Sequence, residues 1–167
     1  MKWKRGPRCF NKSKRSKIVE ERASSTAMTA ARLRAAHLLL DGEPKIFRDD
    51  LALQFSGAES EAFIREEMNA VLADVTRKVG PDIAQRFLRS GRSQMLMRSR
   101  YTEDSLSAAI GCGITRYLIL GAGLDSFAWR RRDLATAVQV IEIDHMATQQ
   151  WKRRRLGELG ISQPPPT

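Results

Sequence analysis

The chain has 167 residues, 42% of them hydrophobic, and a formal net charge of +10. That length supports one domain with a real core and leaves no comfortable room for two, and no apolar run approaches the roughly 20 residues a membrane span needs. Cys9 and Cys112 lie far apart in sequence, so a disulfide framework is not expected and a reducing, cytoplasmic setting fits.

The charge is local. Eight Lys and Arg residues precede Glu20 with no acid among them, and the rest of the chain carries 21 basic against 19 acidic residues. Residues 1–22 therefore read as a basic disordered arm without the apolar stretch of a secretory signal. Such an arm can touch nucleic acid or an anionic surface. The near-neutral body argues against nucleic acid as the partner, and a plain extension is the simpler reading.

From Ser24 or Ser25 the chain turns helical, with Thr26 to Leu40 rich in Ala, Leu and Arg at helical spacing. Gly42 and Pro44 end that helix. Lys45 to Phe55 is a mixed segment containing Asp49-Asp50. Glu59 to Lys78 reads as an amphipathic helix broken by Gly80, and Pro81 suits the first turn of another helix running to about Met97. Thr102-Glu103-Asp104 then reads as the start of a separate helix to Ile110, with a capping hydroxyl followed by acids. The runs of arginine at 130–132 and of Lys152 to Arg155 read as solvated helix faces.

The last third carries the strands. Arg116 to Leu120 is an apolar run that stops at Gly121-Ala122-Gly123, with Asp125 two residues on. After a helical stretch near 127–137 comes a second apolar strand over Ala137 to Ile143, bearing Glu142 and followed by Asp144. His145 to Leu159 reads as a final helix stopped by Gly160. A glycine turn after one strand and a carboxylate after the next is how a doubly wound α/β sheet grips a ribose-bearing cofactor. The first glycine permits the turn, and the second lets backbone approach the ligand. Glu142 and Asp144 share one face by period-two alternation, so spacing leaves both open as the ribose acceptor. Asp125 either orients a cofactor ammonium or caps the next helix.

A dinucleotide fingerprint would place a third glycine at 126, where this chain has Ser126. A cofactor without phosphate does not need that glycine, which favours S-adenosyl-L-methionine over a nicotinamide or flavin. Arg98 and Arg100, ahead of the first strand, are candidate forked donors to a cofactor carboxylate. Two histidines and no ligand-spaced cluster make a metal site improbable. Only two strands are clear, and a two-stranded parallel sheet is not a stable unit. The chain reads as the opening of a larger fold.

Leu120-Gly121-Ala122-Gly123-Leu124-Asp125-Ser126-Phe127-Ala128-Trp129-Arg130 resembles the first motif of the leucine carboxyl methyltransferase-like family. Ile141-Glu142-Ile143-Asp144-His145 resembles its second-strand motif, and Arg98 to Asp104 its arginine-bearing stretch. Ala31 to Ala35 and Phe47 to Asp50 resemble the helical cap more weakly. The resemblance covers residues 24–166. It implies a class I S-adenosyl-L-methionine-dependent methyltransferase with a Rossmann-like α/β fold, here incomplete, with an N-terminal helical cap and only the first two parallel strands. It further implies that Gly121 lies against the cofactor, that Asp144 holds the ribose, and that Arg98 pairs with the methionine carboxylate. Arg100 is the fallback for that last role, and Arg34 is a contributor from the cap. The expected acceptor is an oxygen of a small molecule, often a carboxylate, and no catalytic residue can be named.

The expected organisation is an arm at 1–22, a helical cap region at 23–100, and the beginning of the cofactor domain at 101–167. Two rivals remain: part of a nicotinamide-dependent oxidoreductase, and a non-enzymatic binding protein whose basic arm contacts nucleic acid.

Overall fold

A computed structural model of the chain describes residues 24–162. The basic arm at 1–22, Cys9 and the proline-rich end at 163–167 lie outside the described residues. Helix α1 (Ser25–Leu40) starts where the Ser24 hydroxyl accepts a hydrogen bond from the Ala27 amide. After a short turn, α2 (Ala52–Phe55) is a single helical turn inside the segment read as irregular. Helix α3 (Glu61–Val79) is capped by the Ser60 hydroxyl, and Gly80, at φ 83°, turns the chain directly into α4 (Pro81–Gly111). Small residues of α1 and α2 pack with Ala58 and with Ile64 of α3 to make the core of the cap: Ala35, Ala36 and Ala52, with Leu39, Leu53 and Met68 at its margin.

Helix α4 departs from the sequence reading. It runs unbroken through residues 98–104, where a stop and a new capped start were expected. Thr102 does not cap anything. Its hydroxyl donates back to the Arg98 carbonyl at 2.8 Å, a bond a threonine makes inside a helix. The helix also passes straight through residue 100, where sequence alone put the junction between cap and cofactor domain.

Strands β1 (Arg116–Leu120) and β2 (Gln139–Ile143) pair in parallel, with Tyr117 opposite Val140 and Leu120 opposite Ile143. The connection between them holds two single-turn helices, α5 (Phe127–Arg130) and α6 (Arg132–Ala135), rather than one helical stretch. Arg131 separates them with a non-helical ψ of 57°. Helix α7 (Met146–Glu158) follows β2, its first turn capped by the His145 ring nitrogen. The architecture is α/β, mostly helical, with a two-stranded parallel sheet.

One sheet face is covered. Leu106 and Ile110 of α4, Phe127 of α5 and Leu134 and Ala135 of α6 pack against Tyr117, Ile119 and Val140. Tyr117 and Phe127 meet edge to face at 5.1 Å. A further cluster, Ala31, Phe55, Leu124 and Leu156, joins the cap to the glycine turn and to α7. Burial of a side chain such as Phe55 or Leu124 contributes about 2 kcal/mol each, so this cluster is what holds the cap against the sheet end.

Candidate cofactor cleft

The β1 strand ends because the backbone turns left-handed twice. Gly121 has φ 66° and Gly123 φ 52°, a region that a side chain with a Cβ enters only at a cost of about 1–2 kcal/mol. The turn is held from β2: the Gly121 and Ala122 amides donate to the Ile143 carbonyl at 2.8 and 3.2 Å. The Gly123 amide donates to Asp144 Oδ2 at 2.6 Å, and the His145 amide donates to Asp144 Oδ1 at 2.5 Å. Asp144 is thus fixed by two backbone donors at the mouth of the turn, and each oxygen keeps a lone pair for another donor.

Helix α1 supplies the facing wall. A Cβ added to Gly123 would come within 3.1 Å of the Ala27 Cβ, so the glycine lets the helix close on the loop. Together they form a cleft of about 300 Å³ lined by Ser24, Thr26, Ala27, Ala30, Arg34, residues 121–125 and Asp144. Arg34 is buried and crosses from cap to loop. Its Nε donates to Asp49 Oδ2 and its Nη2 to the Leu124 carbonyl, both at 2.7 Å. Among the described residues, Nη1 has no partner.

The structure brings together Gly121, Gly123, Asp125, Asp144 and Arg34, and separates the other candidates. Asp125 Oδ1 accepts from the Phe127 amide at 2.7 Å, so it starts α5 while still lining the cleft. Glu142 points elsewhere. Both its oxygens take Lys152 Nζ, at 2.8 and 2.9 Å. Arg98 is exposed on α4 and does not line the cleft, and Arg100 pairs with Asp104 one turn away. At position 126, where a dinucleotide turn needs glycine, the buried Ser126 hydroxyl accepts from Arg130 Nε at 3.3 Å.

Two residues read as solvated prove to be internal. Lys152 is 1% exposed, held by Glu142 and lying 4.6 Å over the Trp129 ring. Burial pulls its pKa below the usual lysine value against the opposing pull of Glu142. Arg130 pairs with Glu103 of α4 and stacks 4.4 Å over Phe47. The missed signal for Lys152 was spacing: Thr148, Lys152 and Leu156 recur every four residues on the buried face of α7. Asp49, buried between Arg34 and Arg130, was equally invisible as part of an acidic pair.

The glycine turn, the acid after β2 and the helix facing them lie within the stretch that a family comparison matches. The chain belongs to the leucine carboxyl methyltransferase family, whose model matches residues 27–166. It is 31% identical over 153 residues to a Bacillus subtilis (strain 168) protein named "Putative S-adenosyl-L-methionine-dependent methyltransferase YktD", covering 85% of this chain and 49% of that one. A Mycobacterium ulcerans (strain Agy99) protein with the same activity in its name is 30% identical over 152 residues, 86% of this chain and 44% of its own. A Mycolicibacterium smegmatis relative, also so named, is 29% identical over 154 residues, 84% of this chain and 44% of its own. The chain spans about half the length of the curated relatives it matches.

Proposed function

We propose that this chain carries the donor-gripping part of an S-adenosyl-L-methionine-dependent O-methyltransferase with a Rossmann-like sheet. The observation that carries the reading is Asp144, locked by the Gly123 and His145 amides at the mouth of a left-handed glycine turn. In this arrangement the spare acceptor capacity of Asp144 takes the ribose hydroxyls, and Gly121 and Gly123 let the cofactor lie against backbone. Arg34 offers its free Nη1 to the methionine carboxylate from the cap wall, in place of Arg98, which stands exposed on α4. The ion pair of Glu142 with Lys152 supports giving the ribose to Asp144.

Charge supports the donor. The cleft holds Asp125 and Asp144 against Arg34, a net negative lining, and the cofactor's sulfonium, ammonium and carboxylate sum to one positive charge. Bound there, S-adenosyl-L-methionine supplies an electrophilic methyl group. An acceptor carboxylate, as the family's description implies, is already ionised and needs no general base, so orientation supplies much of the rate.

Titrating the ¹⁵N-labelled chain with S-adenosyl-L-methionine tests this, because amide shifts report even weak binding. Shifts are expected at Gly121, Gly123 and Asp125, with affinity reduced about tenfold in Asp144→Asn and unchanged in Arg98→Met. Absence of these shifts, or equal shifts with NAD, would overturn the reading.

A further inference from the structure

Helices α3 and α4, joined at Gly80, pack side by side and meet the C-terminal end of α1. On α4, Gln85, Leu88, Arg89 and Arg92 recur at the three- and four-residue spacing that puts them on one face. Met68, Asn69 and Leu72 of α3 stand opposite, Leu40 and Asp41 close the end, and between them lies a recess of about 310 Å³. It is not the cofactor cleft. The cleft closes on Ala27 near the start of α1, and the recess lies against Leu40 at its end, roughly 20 Å along the axis.

The walls and the rim of the recess differ in chemistry. Met68, Leu72 and Leu88 are half-buried and with Leu40 make an apolar lining. Asn69, Gln85 and Arg89 stand exposed around it, and among the described residues their side chains make no hydrogen bond or ion pair. Arg92 is spent on Asp41: its Nη2 and Nε donate to that carboxylate at 2.7 and 3.3 Å, and His37 Nδ1 lies 2.8 Å from it. Two arginines thus line the recess with one acid, and the acid is taken. Arg89 is left as a forked cation at the edge of an apolar hollow.

The occupant has to bring one negative charge and an apolar chain. Roughly 300 Å³ is the small end of ligand pockets, which fits a small molecule and not a folded partner. A nucleic acid needs a row of free cations, and this recess has one. A phosphate monoester carries nearly two charges where one is uncompensated. We propose that the recess is a binding site for an aliphatic monocarboxylate. Its carboxylate sits at Arg89 with Asn69 and Gln85 beside it, and its chain lies against Leu72 and Leu88. Such a site is independent of the cofactor cleft at the other end of α1.

Titrating the ¹⁵N-labelled chain with decanoate tests this, with octanoate, decanol and acetate as comparisons. Decanoate is expected to shift the amides of Asn69, Leu72, Leu88 and Arg89. Each methylene between octanoate and decanoate should tighten binding by up to about fourfold, and acetate should cause no shift. Arg89 is exposed and unpaired, so Arg89→Met should keep its helical circular dichroism while binding decanoate about tenfold more weakly. Decanol binding should not change in that variant, and Arg89→Lys should recover part of the loss. Absence of the shifts, equal binding of decanol and decanoate, or an Arg89→Met chain that binds as before would each overturn the proposal. So would shifts centred on Leu118, Leu120, Ile141 and Ile143, which would mark plain adsorption to an exposed apolar sheet face. Shifts at Gly121 and Gly123 in their place would put the carboxylate in the cofactor cleft, which would support an acceptor there and refute the separate site.

Discussion

Asp41 shows how one residue at a helix end can organise its surroundings. Its carboxylate accepts from Arg92 Nη2 at 2.7 Å and lies 2.8 Å from His37 Nδ1, while Lys45 donates to its carbonyl. Burial alone would raise its pKa, but the hydrogen bonds and charges of Arg92 and His37 outweigh burial and hold it below the usual 3.8. A carboxyl with a depressed folded pKa contributes stability above its unfolded value, and that contribution is lost as pH falls through the folded value. Asp41→Asn should therefore cost about 2 kcal/mol at pH 7, with the gap to the unsubstituted chain narrowing as pH drops below 3.8. Urea unfolding across that range checks the sign, and a gap that widens in acid would contradict it. At the same scale, the glycine turn was legible because only glycine takes φ near 60° without cost. The choice between Glu142 and Asp144 was not, because both lie on one face in sequence terms. In the structure Glu142 turns to Lys152, ten residues away, and Asp144 lines the cleft.

Helix α4 is the element where local signals misled. Thr102-Glu103-Asp104 has the composition of an N-terminus, yet the helix passes through it because Leu96 and Leu106 are both buried on its inward side. Tertiary burial outweighs a capping preference worth about 1 kcal/mol. Glu103 is spent on Arg130 and Arg131 instead of on a helix start. The same helix carries an avoidable weakness. Gly91 sits in its interior, and a Cβ there would meet nothing within 4 Å. Gly91→Ala should stabilise the chain by up to about 1 kcal/mol, read as a higher urea midpoint with unchanged slope. A lower midpoint would show that the helix bends at that point for a reason packing does not reveal.

For the whole molecule, a buried ionic chain joins cap to sheet. Arg34 links Asp49 to the Leu124 carbonyl, and Arg130, near Asp49, links Phe47 to Glu103 of α4. Breaking such a pair leaves a charge without its partner in a low-dielectric interior. Arg34→Met should cost about 3 kcal/mol and lower the transition of cap and sheet together, since both depend on it. Loss of α1 helicity alone, with the sheet amides still protected, would show the two parts to be independent.

The sequence by itself determined the two strands, the glycine turn between them, the start of the first helix and the family motif. Each rests on residues close in the chain: alternation, left-handed backbone and helical spacing are local physics. Tertiary structure decided which charges are internal and which acid faces the cleft. It also showed that the first wall of the cleft is α1, brought to Gly123 by an alanine, and that Arg34 rather than Arg98 lines it. Those facts depend on contacts beyond local spacing, from Glu142 with Lys152 ten positions on to Arg34 with Leu124 ninety positions on, and a basic residue in a buried pair and one in solvent look alike in sequence.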